Sequence, residues 1–333
     1  MQSLIMKTEK KIMNRNPILV PTSCAICGVS EKSTEIYPAN FSIQDFNPEV
    51  FSARRLPDKI HYRVVRCRAC GLVRSDPIID NDTLAELYTK SNLTYDDEVP
   101  NLMESYIRYL VRAIRYLDDK MESTLSSKRS ILEIGCGSGF FLEKALDYGF
   151  EQVMGIEPSL QAVEKSSSRI RQNIICDIIR PGLLQPEQFD IICMFQVFDH
   201  IADPGSLLGE CQKALKPGGV ILCLNHDVSA FSARLLGASS PIIDIEHTFL
   251  YSKATIRRIF SDNGFIVRQV GSATNTCSLC HLFHLLPLPN DLKKSILSTL
   301  RRHSVGKIKL SVRLGNLFLI AQKNVIGGIT DAD

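Results

Sequence analysis

The stretch ILEIGCGSGF (131–140) decides the reading of this chain. An apolar run carrying one acid, Glu133, opens into glycines at alternate positions, Gly135, Gly137 and Gly139. The run predicts a buried strand, and FFLEKALDYG (140–149) beyond it predicts a helix stopped by Gly149. Glycines between a strand and a helix let the backbone approach a ligand closely, because no Cβ intervenes. They also serve a plain tight turn, and that alternative stays open on the glycines alone.

Working outward, strands and helices alternate. QVMGIE (152–157) reads as a strand, SLQAVEKSSSRI (159–170) as a helix, and NIICDI (173–178), FDIICMF (189–195) and GVILCL (219–224) as further strands. SKATIRRIFSDNGF (252–265) is a predicted helix with a glycine stop, leading into strand FIVRQVG (265–271). A final strand, NLFLIAQ (316–322), follows an insertion at 274–313. Alternation of this kind predicts an α/β fold, a doubly wound and mostly parallel seven-stranded sheet with helices on both faces. In such a sheet ligands sit beyond the carboxyl ends of the strands. Glu157 ends the second strand, 24 positions after Glu133, where a carboxylate can accept both hydroxyls of a ribose.

The glycine spacing separates cofactors. A dinucleotide fingerprint is G-x-G-x-x-G, but here Phe140 stands where the third glycine would fall and the pattern is G-x-G-x-G. At this point the chain resembles the class I S-adenosylmethionine-dependent methyltransferases. ILEIGCGSG is similar to their first motif, Glu157 to their ribose-binding acid, and CDI with Asp177 to the residue that meets the adenine amine. FDIICMFQVFDHI (189–201) resembles their fourth-strand motif, with Asp199 where glutamate is usual, and LKPGGVILCL (215–224) resembles their turn into strand five. The resemblance implies S-adenosylmethionine as cofactor, held by Glu133, Gly135, Cys136, Gly137, Gly139, Glu157, Asp177, Ile178, Gln196 and His200. His200 reads equally as a helix-cap or core histidine, and Asp177 as a turn residue.

Eleven cysteines in 333 residues are many, and without an export signal they argue for metal ligation or packing over disulfides. Two C-x2-C pairs, each followed by glycine, stand out: CAICG (24–28) and CRACG (67–71). Paired knuckles supply the four thiolates of a tetrahedral zinc site, and a full set of four makes it structural. The expected ligands are Cys24, Cys27, Cys67 and Cys70, in a small zinc-ribbon-like region. That region resembles the zinc-binding N-terminal part of some sugar C-methyltransferases and related enzymes of glycan and natural-product pathways. The same family suggests a base: IEHTFLYS (245–252) is similar to its Glu-His-x-x-x-Tyr/Phe-Ser stretch, which implies His247 as base and Glu246 as its orienting partner. His226, just after strand five, is the rival base, and the plain alternative is that His247 packs under the next helix. A third pair, CSLCH (277–281), matches a haem-attachment pattern, but haem attachment needs export; with His284 it offers a metal set, or simply lines a hairpin excursion.

The expected organisation is a leader over 1–20, a zinc-binding region over 21–80, a helical linker or lid over 81–128, and the methyltransferase domain over 129–333. A length of 333 residues suits roughly two domains. A net charge of +3 is too small to argue for nucleic acid, although 292–313 carries seven Lys/Arg and no acid. No apolar run is long enough for a membrane span, and no signal peptide is apparent, which points to the cytoplasm. The expected function is methyl transfer from S-adenosylmethionine to a small-molecule acceptor, such as a nucleotide-linked sugar, on carbon or oxygen. Two alternatives remain: an RNA or other nucleic-acid methyltransferase, and a noncatalytic module that uses the fold for binding.

Overall fold

The structure is a computed structural model that describes residues 18–42, 60–91, 99–117, 129–286 and 288–324. Most of the expected leader, and the linker stretch 118–128, lie outside the described residues. None of the described helices is long and apolar enough to cross a membrane.

The N-terminal region contributes β1 (Leu19–Val20), β2 (Ser33–Tyr37), β3 (Val64–Cys67), β4 (Val73–Ser75) and β5 (Ile78–Ile79). The main sheet is built from β6 (Ser130–Ile134), β7 (Gln152–Ile156), β8 (Ile174–Ile175), β9 (Phe189–Phe195) and β10 (Leu215–His226). After a short strand β11 (Phe249–Leu250) it continues with β12 (Phe265–Ser272). A hairpin of β13 (Asn275–Ser278) and β14 (Lys309–Val312) precedes the last strand, β15 (Asn316–Lys323).

The seven-stranded sheet runs β12-β15-β10-β9-β6-β7-β8. Strands β8, β7, β6, β9 and β10 are mutually parallel, while β15 is antiparallel to both β10 and β12. Every residue of β6 is buried, the pattern of a strand covered on both faces. One face packs on the helices Pro204–Ala214 and Lys253–Asp262 through Leu207, Leu208, Ile256, Ile259 and Phe260. The other packs on Val99–Ile114 and Phe140–Asp147 through Tyr106, Tyr109, Leu110, Phe141 and Leu142. The stretch expected to be a linker thus supplies part of a helical layer. Two elements are shorter than the sequence suggests. The helix after β7 spans Leu160–Glu164, and β8 has two residues at the sheet's open edge.

The N-terminal sheet has the order β11-β4-β3-β2, so its edge strand comes from residues 249–250, between β10 and β12 in the chain. Phe249 and Leu250 pair with Arg74 and Val73. The Ser75 amide donates to the Thr248 carbonyl at 2.9 Å and the Ser75 hydroxyl to the His247 carbonyl at 2.7 Å. The zinc-binding region expected over 21–80 is therefore stitched to the segment that carries His247.

Candidate functional site

The first site is the cysteine cluster. Both knuckles form the same turn: Gly28 donates to the Cys24 carbonyl at 2.8 Å and Gly71 to the Cys67 carbonyl at 2.9 Å, with φ of +70° and +79°. Glycine tolerates that left-handed backbone, which lets each turn close tightly. The Sγ atoms of Cys24 and Cys70 lie 3.3 Å apart and those of Cys27 and Cys67 3.5 Å apart, and all four fall within 4.8 Å of one another. A disulfide would bring two of them to about 2.05 Å. The spacing instead approaches the roughly 3.8 Å edge of a tetrahedron with metal–sulfur bonds near 2.3 Å. Burial opposes a charge on Cys67, but the Cys70 and Ala69 amides aimed at its sulfur outweigh that and pull the thiol down to about 6. These residues fit a tetrathiolate zinc ion. Cys277, Cys280 and His281 make no comparable group among the described residues, and nothing is described of the His284 side chain. Cys277 sits in β13 opposite Leu310, within the hairpin.

The second site is a cavity of about 800 Å³ at the carboxyl ends of the parallel strands. Gly135 and Gly137 follow β6, Glu157 follows β7, Asp177 and Ile178 follow β8, Gln196 and His200 follow β9, and all of them line it. His226, Glu246 and His247 line its other wall. Glu133, Cys136 and Gly139 are not among the lining residues; Glu133 and Cys136 are fully buried beneath the turn.

The glycines divide by function. A Cβ on Gly135 would stand 2.4 Å from the Val197 side chain, and one on Gly139 would stand 2.1 Å from Ile170. At these two positions the close neighbour is the protein itself. The turn is fastened by Glu157, whose carboxylate accepts from the Gly137 amide at 2.8 Å and the Ser159 amide at 2.9 Å. Asp177 is held on the rim by Arg180 at 2.9 Å. Gln196 adopts a φ of +58°, and its buried Oε1 has no hydrogen-bond partner among the described residues. A left-handed non-glycine residue beside a buried, unsatisfied acceptor is a mark of a ligand site.

Three histidines converge on Asp199, whose carboxylate is buried. His226 Nδ1 lies 2.6 Å from Asp199 Oδ2, His247 Nε2 lies 3.9 Å from the same oxygen, and His200 Nε2 lies 3.7 Å from Oδ1. Burial opposes the charge on Asp199, yet the surrounding imidazoles of His247, His226 and His200 hold its carboxyl well below the usual carboxylate range. His247 Nδ1 meets the Ile242 carbonyl at 2.9 Å. A carbonyl only accepts, so Nδ1 carries the proton and Nε2 the lone pair. Burial pushes the His247 imidazole below its ordinary value, against the pull of Asp199. The ring is thus oriented by the Ile242 carbonyl, with Glu246 beside it on the wall. Tyr88, from the helix Asn81–Thr89, reaches His200 Nδ1 with its hydroxyl at 2.9 Å. Burial, reinforced by the Glu246 carboxylate, raises the Tyr88 phenol far above its ordinary value, so it stays a neutral hydroxyl.

Nothing in the sequence marks Tyr88, which looks like one more apolar position of an amphipathic helix. In the sequence Asp199 stands out only as a departure from glutamate, and its role as the hub of three histidines depends on the loop 240–248 folding back. That return is anchored where the Thr248 and Phe249 amides both donate to the Asp199 carbonyl, at 2.9 and 3.0 Å.

Comparison with known proteins bears on this cavity. A family model described as a methyltransferase domain matches residues 103–270, half of the chain. The ubiquinone biosynthesis O-methyltransferase of Bradyrhizobium sp. (strain ORS 278) is 32% identical over 114 residues, covering 32% of this chain and 45% of that protein. Its counterpart in Rhodopseudomonas palustris (strain HaA2) is 33% identical over 127 residues, covering 36% of this chain and 49% of that protein. The chain thus spans about half the length of these curated relatives. Among solved structures, an S-adenosylmethionine-dependent methyltransferase from Aquifex aeolicus aligns over 69% of this chain and 94% of its own, with 15% identity and a TM-score of 0.43. With that family match over half of its length, the chain belongs to the methyltransferase-domain family.

Proposed function

We propose that the cavity binds S-adenosylmethionine at its β6–β8 end and transfers the methyl group to a hydroxyl of a small-molecule acceptor at its histidine end. The observation that carries this reading is the charge of the lining. Arg180 is the single lysine or arginine among the described lining residues, and it is paired with Asp177. Six carboxylates line the same space: Glu157, Asp177, Asp203, Glu210, Asp244 and Glu246. Such a cavity suits a cationic sulfonium donor and an uncharged acceptor. It does not support a nucleotide-linked sugar or a nucleic acid, whose phosphates call for basic partners. The acceptor class is instead a hydroxylated molecule with an apolar body, resting on Leu84, Ile242 and Leu236. The O-methyltransferase relatives are consistent with transfer to oxygen.

In this reading Glu157 accepts from the ribose hydroxyls, the Gln196 amide oxygen takes a donor from the cofactor, and Ile178 covers the adenine face. Gly135, Gly137, Asp177 and His200 complete the wall. Glu133, Cys136 and Gly139 act from beneath, by fixing the turn. His226 is the favoured proton acceptor, because its Nδ1 is committed to Asp199 and the resulting pair leaves Nε2 as the basic atom. The acceptor O–H bond breaks toward that nitrogen while the oxygen attacks the methyl carbon. The S–CH3 bond breaks in line, and its electron pair returns to sulfur. His247, with Glu246 beside it, orients the acceptor, or takes the proton itself as the sequence suggested. The tetrathiolate site holds zinc as a structural ion, and Leu84, Tyr88, Leu102 and Tyr106 from the helical stretch before β6 form one wall of the pocket.

The test is transfer of a labelled methyl group from S-adenosylmethionine into fractions of a cell extract. Label in uncharged small molecules is expected. Label confined to RNA, or to a phosphorylated sugar fraction, overturns the acceptor reading. Calorimetric binding of S-adenosylmethionine without any transfer would leave a noncatalytic module.

A further inference from the structure

We infer that Asp199, His200 and His247 form a second metal site, distinct from the cysteine cluster, that takes a divalent transition-metal ion and presents it to the acceptor oxygen. This inference rests on the reading of the cavity as the methyl-transfer site. Three observations carry it. The ligand atoms of the three residues, one apiece, lie within 4.8 Å of one another. Asp199 Oδ1 is buried and accepts no hydrogen bond among the described residues. A buried charged oxygen without a donor is costly unless a cation serves it.

The second atoms of the ligands supply the third observation. A histidine that binds a metal through one nitrogen almost always commits the other to a carbonyl, carboxylate or hydroxyl, which fixes the ring. His247 Nδ1 is committed to the Ile242 carbonyl at 2.9 Å, and His200 Nδ1 faces the Tyr88 hydroxyl at 2.9 Å. Asp199 Oδ2 is likewise committed to His226 at 2.6 Å, which leaves Oδ1 for an ion. His200 Nε2 stands 3.7 Å from Oδ1, a few tenths of an ångström beyond the roughly 3.4 Å edge expected for bonds near 2.1 Å, while His247 Nε2 lies 3.9 Å from Oδ2. His200 therefore needs only a small inward swing, and His247 a larger one toward Oδ1, within the 4.8 Å span of the three residues' ligand atoms.

Two histidines and one carboxylate on one side of an ion leave open positions. Both histidines line the cavity, so those positions face the acceptor. The nitrogen-rich set selects a borderline transition ion over magnesium or calcium, and the absence of thiolate separates it from the softer cysteine site. Bound there, an ion would lower the pKa of a coordinated hydroxyl and hold its oxygen for in-line attack. His226, held on the same carboxylate, stands ready to receive the proton.

The experiment is a Co²⁺ titration of the full chain with zinc already filling its cysteines, followed by visible absorption. The expected result is a saturable ligand-field spectrum without thiolate charge-transfer bands. It should weaken at least tenfold in apparent affinity in His247→Gln and in His200→Gln, and Asp199→Asn gives the same loss. Circular dichroism checks that each variant is folded, and His281→Gln, on the hairpin side of the cavity, should leave the spectrum unchanged. No saturable spectrum, a thiolate-type spectrum only, or one indifferent to both histidine variants overturns the site. Parallel calorimetry with S-adenosylmethionine separates the two readings. Cofactor binding without cobalt binding removes only the metal site, whereas cobalt binding without cofactor binding removes the methyltransferase assignment of the cavity.

Discussion

Glu157→Gln is the sharpest probe of the cofactor end. The wild-type carboxylate spends one oxygen on Gly137 and the other on Ser159, at 2.8 and 2.9 Å. It has lone pairs left over for a ribose. An amide keeps the shape but turns one acceptor into a donor, which then faces a backbone N–H. Hydrogen bonds to a charged group contribute about 1.5–3 kcal/mol each. With about 1.4 kcal/mol per tenfold change in affinity, losing one ribose contact should weaken S-adenosylhomocysteine about ten- to a hundredfold. Calorimetry with that ligand and with its 2′-deoxy analogue forms a double-mutant cycle. The analogue should bind less tightly to the wild type, and that penalty should shrink in Glu157→Gln because the partner is gone. A thermal melt without ligand should also fall, since the turn loses a backbone anchor. If both penalties simply add, Glu157 touches no ribose and serves the turn alone; if neither protein loses affinity, the placement of the cofactor is wrong.

Cys67→Ser should lower bound zinc from about one equivalent per chain toward zero, read by metal analysis, and reduce the melting temperature; a metal-free wild type of undiminished stability would remove the zinc site. His226→Ala should cut turnover about 10²–10⁴-fold with cofactor affinity retained; an unaffected His226→Ala alongside an inactive His247→Ala moves the base to His247. Gly135→Ala should destabilise by about 1–3 kcal/mol through overpacking on Val197, and Val197→Ala in the same chain should restore part of the loss; without such rescue, the contact is not what requires glycine. Asp80 caps the helix that carries Tyr88 by accepting from the Thr83 amide and hydroxyl, so Asp80→Ala should cost about 1 kcal/mol. Despite partial burial, those bonds lower the Asp80 carboxyl below its ordinary value. The folded group therefore ionises at lower pH than the unfolded one, and its stabilisation is complete above about pH 4 and is lost as pH falls below that. Urea unfolding should show the difference between Asp80→Ala and wild type near neutral pH and its disappearance in acid; a constant difference would refute the charge argument.

The core sheet was readable because its strands are locally complete signals. ILEI and FDIICMF are apolar throughout, as strands buried on two faces must be, and glycines or capping residues end the helices between them. Shorter edge elements were overestimated. Past Glu164 the run KSSS has weak helix propensity, and only the first two residues of IICDI find a partner strand, at β7. The knuckles were readable because four ligands and two glycines sit in two short repeats. The histidine hub was not, because it is assembled from four separate stretches around Asp199. Residues 88, 199–200, 226 and 247 have no common spacing, and the loop that returns His247 is held by hydrogen bonds to main-chain atoms, which leave no trace in residue identity. Phe249 and Leu250 look like ordinary apolar residues before a helix, and nothing local marks them as the fourth strand of the distant N-terminal sheet.

That borrowed strand has a consequence for how the chain can be divided. Residues 73–75 and 248–250 share one ladder, and the Ser75 side chain holds the carbonyl of His247 itself. A fragment beginning at residue 99 would keep the glycine turn, Glu157, the helix Val99–Ile114 and the whole seven-stranded sheet. It would also leave one edge of the acceptor wall without its backing, much as a door frame outlasts the hinge post. Such a fragment is expected to hold cofactor yet present an unformed acceptor side, so the functional unit is the two parts woven together and the sequence boundary between them is not a seam.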